Sequence, residues 1–198
     1  SVLSTQSSAL ASMPHPWTFL YSKIIHACRI FTLKKEGYRS PRTGKEHDFY
    51  LLDSSDWVNV IPLTAEGRVI LVKQYRFGTK DFSLEIPGGM LDPGDHPAGA
   101  AARELLEETG YAGEEPILLG VVHPNPAIQT NRCYTYLINN VVFKTLPRQD
   151  STEDIEVHSA PLHDIPRLIH EGEITHALVI AAFYWYFSSI GFKGGTAP

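Results

Sequence analysis

Apolar runs punctuated by glycine and proline divide this chain into strand-like and helix-like stretches. Residues 28–35 (CRIFTLKK) and 45–52 (KEHDFYLL) read as two strands separated by Gly37, Pro41 and Gly44, a candidate hairpin arm. Residues 57–63 (WVNVIPL) and 69–76 (VILVKQYR) form a second pair across a short glycine-containing connection, and their apolar content marks central strands. A short strand over 83–86 then runs into Pro87-Gly88-Gly89, where two glycines permit close backbone approaches.

Next comes a helix, with Asp95 expected as N-cap, Pro97 in the first turn and Gly110 at the end. Strands over 117–123 and 133–142 follow, separated by a loop over 124–132. A polar stretch, 148–154, precedes a last strand at 155–158. Helices over 165–171 and 175–187 close the chain. Mixed strands with a central and a C-terminal helix predict a layered α/β (α+β) domain.

Composition narrows the class. Of 198 residues, 43% are hydrophobic and 20% charged, which suits one folded domain with an appended arm. Lys and Arg number 17 against 22 Asp and Glu, and the net charge of −5 offers no field for a polyanion, which argues against nucleic acid as a partner. Cys28 and Cys133 alone make no disulfide scaffold and no thiolate zinc site, so a reducing, cytoplasmic setting is expected. The apolar stretch 177–187 is too short for a membrane span and reads as a buried helix. Residues 1–12 read as a disordered tail or a remnant ahead of a native start at Met13.

Within the central helix, Glu104, Glu107 and Glu108 stand at i, i+3 and i+4 and share one face, leaving Ala102, Leu105, Leu106 and Thr109 to pack on a sheet. Three like charges repel unless a cation sits between them, and an oxygen-only donor set suits Mg²⁺ or Mn²⁺. The alternative is a solvated face whose acids pair with bases at helical spacing, yet Arg103 is the one basic residue of that helix.

The preceding loop decides between them. Gly89, Asp95, Arg103, Glu104, Leu105, Glu107, Glu108, Gly110 and Tyr111 stand at the spacing GX5EX7REUXEEXGU, with U a bulky apolar residue, over an unbroken GGMLDPGDHPAGAAARELLEETGY. This resembles the signature of the Nudix hydrolases. The first acid is here Asp95, one methylene shorter than the usual glutamate, so it either pairs with Arg103 or caps the helix; Tyr111 is a looser fit to the last apolar place.

The resemblance implies a Nudix-type α/β/α sandwich with a mixed sheet, and a Mg²⁺ site for a diphosphate. In that reading Glu104 and Glu108 hold metal, the Gly88 carbonyl adds a ligand, Glu107 ligates or orders a second metal, and Arg103 holds the carboxylates in place. The segments around Gln74-Tyr75-Arg76 and Leu84-Glu85-Ile86-Pro87, together with Pro126 sixteen residues after Gly110, resemble the ADP-ribose pyrophosphatase branch and related nucleoside-diphosphate-sugar hydrolases. That branch implies a homodimer whose N-terminal strands help build the base pocket.

Arg76 and Glu85 are then candidates for substrate binding, the alternative being a rim salt bridge. Trp57, like Phe49 and Tyr50, can either stack on a purine or fill core. Arg132 either reads the sugar end or sits on the surface. The acidic loop before the last strand resembles the family's general-base segment, with Glu153 the first choice and Asp150 or Asp154 as substitutes.

The expected organisation is a tail over 1–12, an N-terminal β arm over 13–55 for dimerisation and the base pocket, and a hydrolase domain over 56–198. The expected reaction is Mg²⁺-dependent hydrolysis of ADP-ribose or a nucleoside diphosphate sugar such as GDP-mannose, giving a nucleoside monophosphate and a sugar phosphate. Two alternatives stand beside it: hydrolysis of NADH, coenzyme A or a dinucleoside polyphosphate, and a nucleotide-sensing module that binds without cleaving.

Overall fold

The computed structural model describes residues 13–149 and 154–191. Chain contacts divide it into two compact units, with the boundary between Leu52 and Asp53.

The N-terminal unit is a three-stranded sheet in the order β1-β2-β3, made of Thr18–Ala27, Thr32–Arg39 and Glu46–Asp53, with β1 and β2 antiparallel. The strand β1 escaped the pattern reading because Phe19, Leu20, Tyr21, Ile24 and Ile25 do not alternate with polar residues. Gly37 opposes Tyr21 in the ladder, and a Cβ there would lie 2.2 Å from the tyrosine ring, so only glycine lets the ring lie flat across β2. Tyr21 donates to Asp48, whose carboxylate also takes Lys35 Nζ at 2.7 Å.

The second unit is built on a mixed sheet in the order β12-β5-β4-β10-β9: Ile155–Pro161, Arg68–Arg76, Trp57–Leu63, Cys133–Asn139 and Ile117–Val122. Strands β4 and β10 run parallel and the other pairs antiparallel. The expected β4–β5 pairing is realised at one point, Leu63 opposite Val69. Beyond it β6 (Asp81–Glu85) takes over the edge of β5, while β7 (Gly88–Met90) takes over the edge of β4. The sheet therefore splits where two short strands are inserted, and the split leaves a cleft.

Alternation along the strands fills both faces. Val58, Val60, Ile70, Tyr136 and Ile138 pack with Ala101 and Leu105 of helix α1 (Pro97–Thr109). Ile61, Val69 and Leu71 pack with Ile165 of helix α2 (Ile165–His170) and with Val179, Ala182 and Phe183 of helix α3 (Ala177–Ser189). The product is the expected sandwich of helices around a mixed sheet. Two short strands, β8 (Tyr111–Ala112) and β11 (Val142–Phe143), pair beside the end of α1.

Helix α1 differs from expectation in phase and in start. Its buried side is Ala100, Ala101, Glu104, Leu105, Glu108 and Thr109, whereas Ala102 and Leu106 face outward. Two of the three glutamates thus lie on the packed side. His96, with no side-chain cap bond, precedes the first turn in place of Asp95; Pro97 supplies the preset φ that starts the helix. Gly110, at φ 75°, ends it as expected, its N–H bonding to Leu106 O at 2.9 Å. Among the described residues no helix is long and apolar enough to cross a membrane.

Candidate active site

The site grows from the glycine pair that follows β6. A Cβ on Gly88 would lie 2.3 Å from the Val58 carbonyl, and one on Gly89 would lie 2.7 Å from the Glu104 carboxyl carbon. The absence of side chains lets β7 run against both β4 and helix α1. Gly88 N–H donates to Glu108 Oε2 at 3.1 Å, so the loop and the helix share a charge-assisted bond.

Arg103 gathers the acids around this contact. One of its nitrogens reaches Glu104 Oε1 at 3.0 Å and Glu107 Oε2 at 3.2 Å, and the other reaches Asp95 Oδ2 at 3.0 Å. Burial works against the Arg103 charge, but Glu104, Asp95 and Glu107 outweigh it and hold the guanidinium above its ordinary value. Asp95 therefore ties the arginine rather than capping the helix, which its short side chain accomplishes from the loop.

Glu104 and Glu108 are 9% and 4% exposed, a costly place for carboxylates unless cationic or donor groups compensate them. Glu107 is only half-buried beside them. No three of the described acidic, imidazole or thiol side chains already converge as a cage. What the residues present is an oxygen-only donor set, two buried carboxylates one helical turn apart beside the Gly88 backbone, and that set fits a hard divalent cation.

The cleft opens beside this group. It encloses about 720 Å³ between the β4–β7 and β5–β6 pairs and the start of α3. Arg76 forms a two-bond fork with Glu85, Nε to Oε1 at 2.7 Å and Nη2 to Oε2 at 2.5 Å. Burial raises the Glu85 carboxyl, but Arg76 and then His176 overcome this and hold it below the usual carboxylate range. The bond to Glu85 in turn raises Arg76, with Glu108 adding to the effect. Through that field Arg76 is linked to the acidic helix as well as to the cleft.

Of the residues anticipated for the site, Arg76, Glu85, Trp57 and Gly88 line one cleft, while Arg103, Glu104, Glu107 and Glu108 adjoin it through the glycine loop. Arg132 is not brought to the cleft wall. It lies 3.5 Å from Asp56 Oδ2 and over the Tyr134 ring at 5.9 Å. Glu153 and Asp150 lie outside the described residues, and Asp154 is exposed.

Sequence reasoning missed Asn59, His176, Phe77 and Phe82 as cleft-lining residues. Asn59 was visible as a polar residue inside an apolar strand, and its Nδ2, like Trp57 Nε1, is buried without a hydrogen-bond partner. His176 caps α3, its Nδ1 accepting from Leu178 N–H at 3.2 Å.

What this fold and this acid cluster define is a hydrolase, and the NUDIX domain model matches residues 55–183: the chain belongs to the Nudix family. It is 31% identical over 154 residues to the ADP-ribose pyrophosphatase of Bacillus subtilis (strain 168), an alignment covering 77% of this chain and 83% of the relative. It is 34% identical over 145 residues to the ADP-sugar pyrophosphatase of Mus musculus, covering 67% and 66%. A crystal structure of an ADP compounds hydrolase superposes with a TM-score of 0.79 at 20% identity, covering 90% of this chain and 98% of that one, a likeness of fold.

Proposed function

We propose that the protein hydrolyses the pyrophosphate bond of ADP-ribose or a related nucleoside diphosphate sugar, with Mg²⁺ (or Mn²⁺) as cofactor, to a nucleoside monophosphate and a sugar phosphate. The observation that carries this is the meeting, at one glycine loop, of an acidic helix face with a cleft holding a forked arginine. An ADP-ribose pyrophosphatase and an ADP-sugar pyrophosphatase among the relatives supply the substrate class.

Glu104 and Glu108, with Glu107 and the Gly88 carbonyl assisting, would hold the divalent cation, which would supply neutralisation of the diphosphate oxygens and a more acidic water. Arg103 preorganises the carboxylates through its bonds to Glu104, Glu107 and Asp95. Glu85 fixes Arg76 so that its remaining N–H groups present donors to a phosphate without side-chain reorganisation. Water oxygen bonds to phosphorus as the bridging P–O bond breaks. Glu153, in the acidic sequence segment 149–154, is assigned the water's proton, and the departing phosphate keeps the bond electrons.

The N-terminal sheet is assigned to a homodimer contact. Its exposed aromatics support this: Phe19, Phe49 and Tyr50 in the sheet and Trp17 just before β1 all keep more than a third of their surface exposed. A reducing, cytoplasmic setting is supported by two unbonded cysteines, one exposed. A panel of nucleoside diphosphate derivatives with Mg²⁺, run beside Glu108→Gln, tests the reading: wild-type turnover of ADP-ribose and loss in the variant are expected. Wild-type inactivity on every diphosphate, or full activity in the variant, rejects it.

A further inference from the structure

Strand β4 carries two polar groups that the fold leaves unanswered. Trp57 and Asn59 stand two residues apart and so project from one face of the strand, the face on which Ile61 packs with α3. Both line the cleft that Arg76 and Gly88 also line. Trp57 Nε1 and Asn59 Nδ2 are buried atoms, yet neither finds a hydrogen-bond acceptor among the described residues. The backbone beside them is already engaged, since β4 pairs with β10 along one edge and with β7 along the other: Asn59 stands between Thr135 and Gly88, and Trp57 between Cys133 and Met90. Buried donors without acceptors are rare, and asparagine is a poor strand former, so this short strand runs against its own stability at two positions that face a ligand cleft. Local conflicts of that kind belong to functional sites, and here they point to a ligand as the missing acceptor.

The surroundings fix the chemistry of that acceptor. An indole N–H only donates, and so does Arg76, whose fork occupies both oxygens of Glu85. Together with the Asn59 amide nitrogen they suit an oxygen that carries lone pairs and negative charge better than a hydroxyl, which must also place its own proton. Asn59 Oδ1 lies 2.8 Å from where a Gly88 Cβ would stand, which puts the amide beside the glycine backbone assigned to the cation. We propose that Trp57 Nε1 and Asn59 Nδ2 donate to phosphoryl oxygens of the substrate, making these two residues determinants of the cleft's specificity. Trp57 then acts through its N–H and not through its ring face. This deepens the reading of the site as a nucleoside diphosphate hydrolase and rests on it. Donors that no protein group satisfies weigh against stability while they serve binding, and that opposition is the signature to be measured.

The test uses the full chain and its Asn59→Leu, Asn59→Ala and Trp57→Phe variants, the first matching the amide in shape and the last keeping an aromatic face without the N–H. Thermal melts without ligand are run beside calorimetric titration with inorganic pyrophosphate in Mg²⁺ and steady-state kinetics on ADP-ribose. Asn59→Leu is expected to melt at or above the wild-type temperature, because it removes a buried donor that no protein group satisfies. Each variant is expected to bind pyrophosphate about tenfold more weakly and to lose about tenfold in kcat/KM for ADP-ribose, the scale of one hydrogen bond to a charged group. Where Asn59→Leu does not fold, Asn59→Ala carries the same comparison of affinity and turnover. Absence of pyrophosphate binding by the wild type, or wild-type affinity in the variants, overturns the donor pair. A loss on ADP-ribose with unchanged pyrophosphate affinity also overturns it, because the donors then serve another part of the substrate. Melts of both Asn59 variants more than about 5 °C below wild type, or failure of both to fold, overturn it as well, because the amide then holds the fold. Wild-type inactivity on ADP-ribose together with donor-dependent pyrophosphate binding keeps the pair and rejects the proposed substrate, whereas full activity in all three variants rejects the pair and leaves the substrate standing.

Discussion

Gly89 and Glu104 are in such close apposition that the missing methyl of the glycine is where the glutamate carboxyl needs to be: a Cβ would stand 2.7 Å from its Cδ. Gly88 is equally confined, but by backbone, the Val58 carbonyl at 2.3 Å. Adjacent glycines therefore protect different things, one a side-chain position and the other a strand pairing.

Gly89→Ala is expected to fold, because the flexible end of Glu104 can move aside, and to lose about a hundredfold in kcat through displacement of that carboxylate. Gly88→Ala must push backbone from backbone and is expected to destabilise by about 1–3 kcal/mol. Thermal melts beside steady-state kinetics separate the two. Equal melting temperatures for both variants, or full activity in Gly89→Ala, contradict the assignment.

Removing the negative charge of Glu108 tests the acidic helix directly. Glu108→Gln keeps the volume and can still accept from Gly88 N–H, so its stability is expected within about 1 kcal/mol of wild type. Its turnover is expected to fall by about two to three orders of magnitude, the scale of removing one preorganised electrostatic contact. Calorimetric titration with Mg²⁺ should show the same variant binding the ion more weakly.

The Arg76–Glu85 fork carries a pH signature. Glu85 is 3% exposed and its carboxyl is held below its ordinary value, so the folded state favours the ionised form. The resulting stability is present above the unfolded carboxyl's pKa and is lost as pH falls through the lower folded value. Arg76→Ala strands a buried carboxylate and is expected to cost about 2 kcal/mol near pH 7, less than for a wholly buried pair because the arginine is 42% exposed. That deficit should shrink as pH drops below the ordinary carboxylate range. Urea melts across pH 3–7 check the sign, and a deficit that grows with acid refutes it.

Cys133 is fully buried on β10, and burial together with Asp56 pushes its thiol up to about 12, while Cys28 is exposed. An aromatic disulfide reagent at pH 8 is expected to modify one thiol in the native protein and both in denaturant. Rapid native labelling of Cys133 would show that β10 opens locally.

The local elements were legible wherever one physical cue acted alone. An apolar run marked β4, Gly110 marked the end of α1, and the spacing of Glu104, Glu107 and Glu108 placed them along one helix. Cues that depend on packing were not legible. Ala102 and Leu106 read as core from apolarity, but the helix turns so that Glu104 and Glu108 take the packed side against the glycine loop. The strand β1 was not legible because its apolar residues do not alternate with polar ones.

The amino-acid order alone determined the family signature and the acids that carry it, because a helix of 3.6 residues per turn sets which side chains share a face without reference to the rest of the chain. Tertiary structure alone decided that β4 and β5 part company after Leu63 and Val69, and that the gap gathers Arg76, Phe82 and His176, residues up to a hundred positions apart, around one cleft. Strand pairing is a competition for edges between distant segments, and which segment takes an edge depends on every other contact it makes.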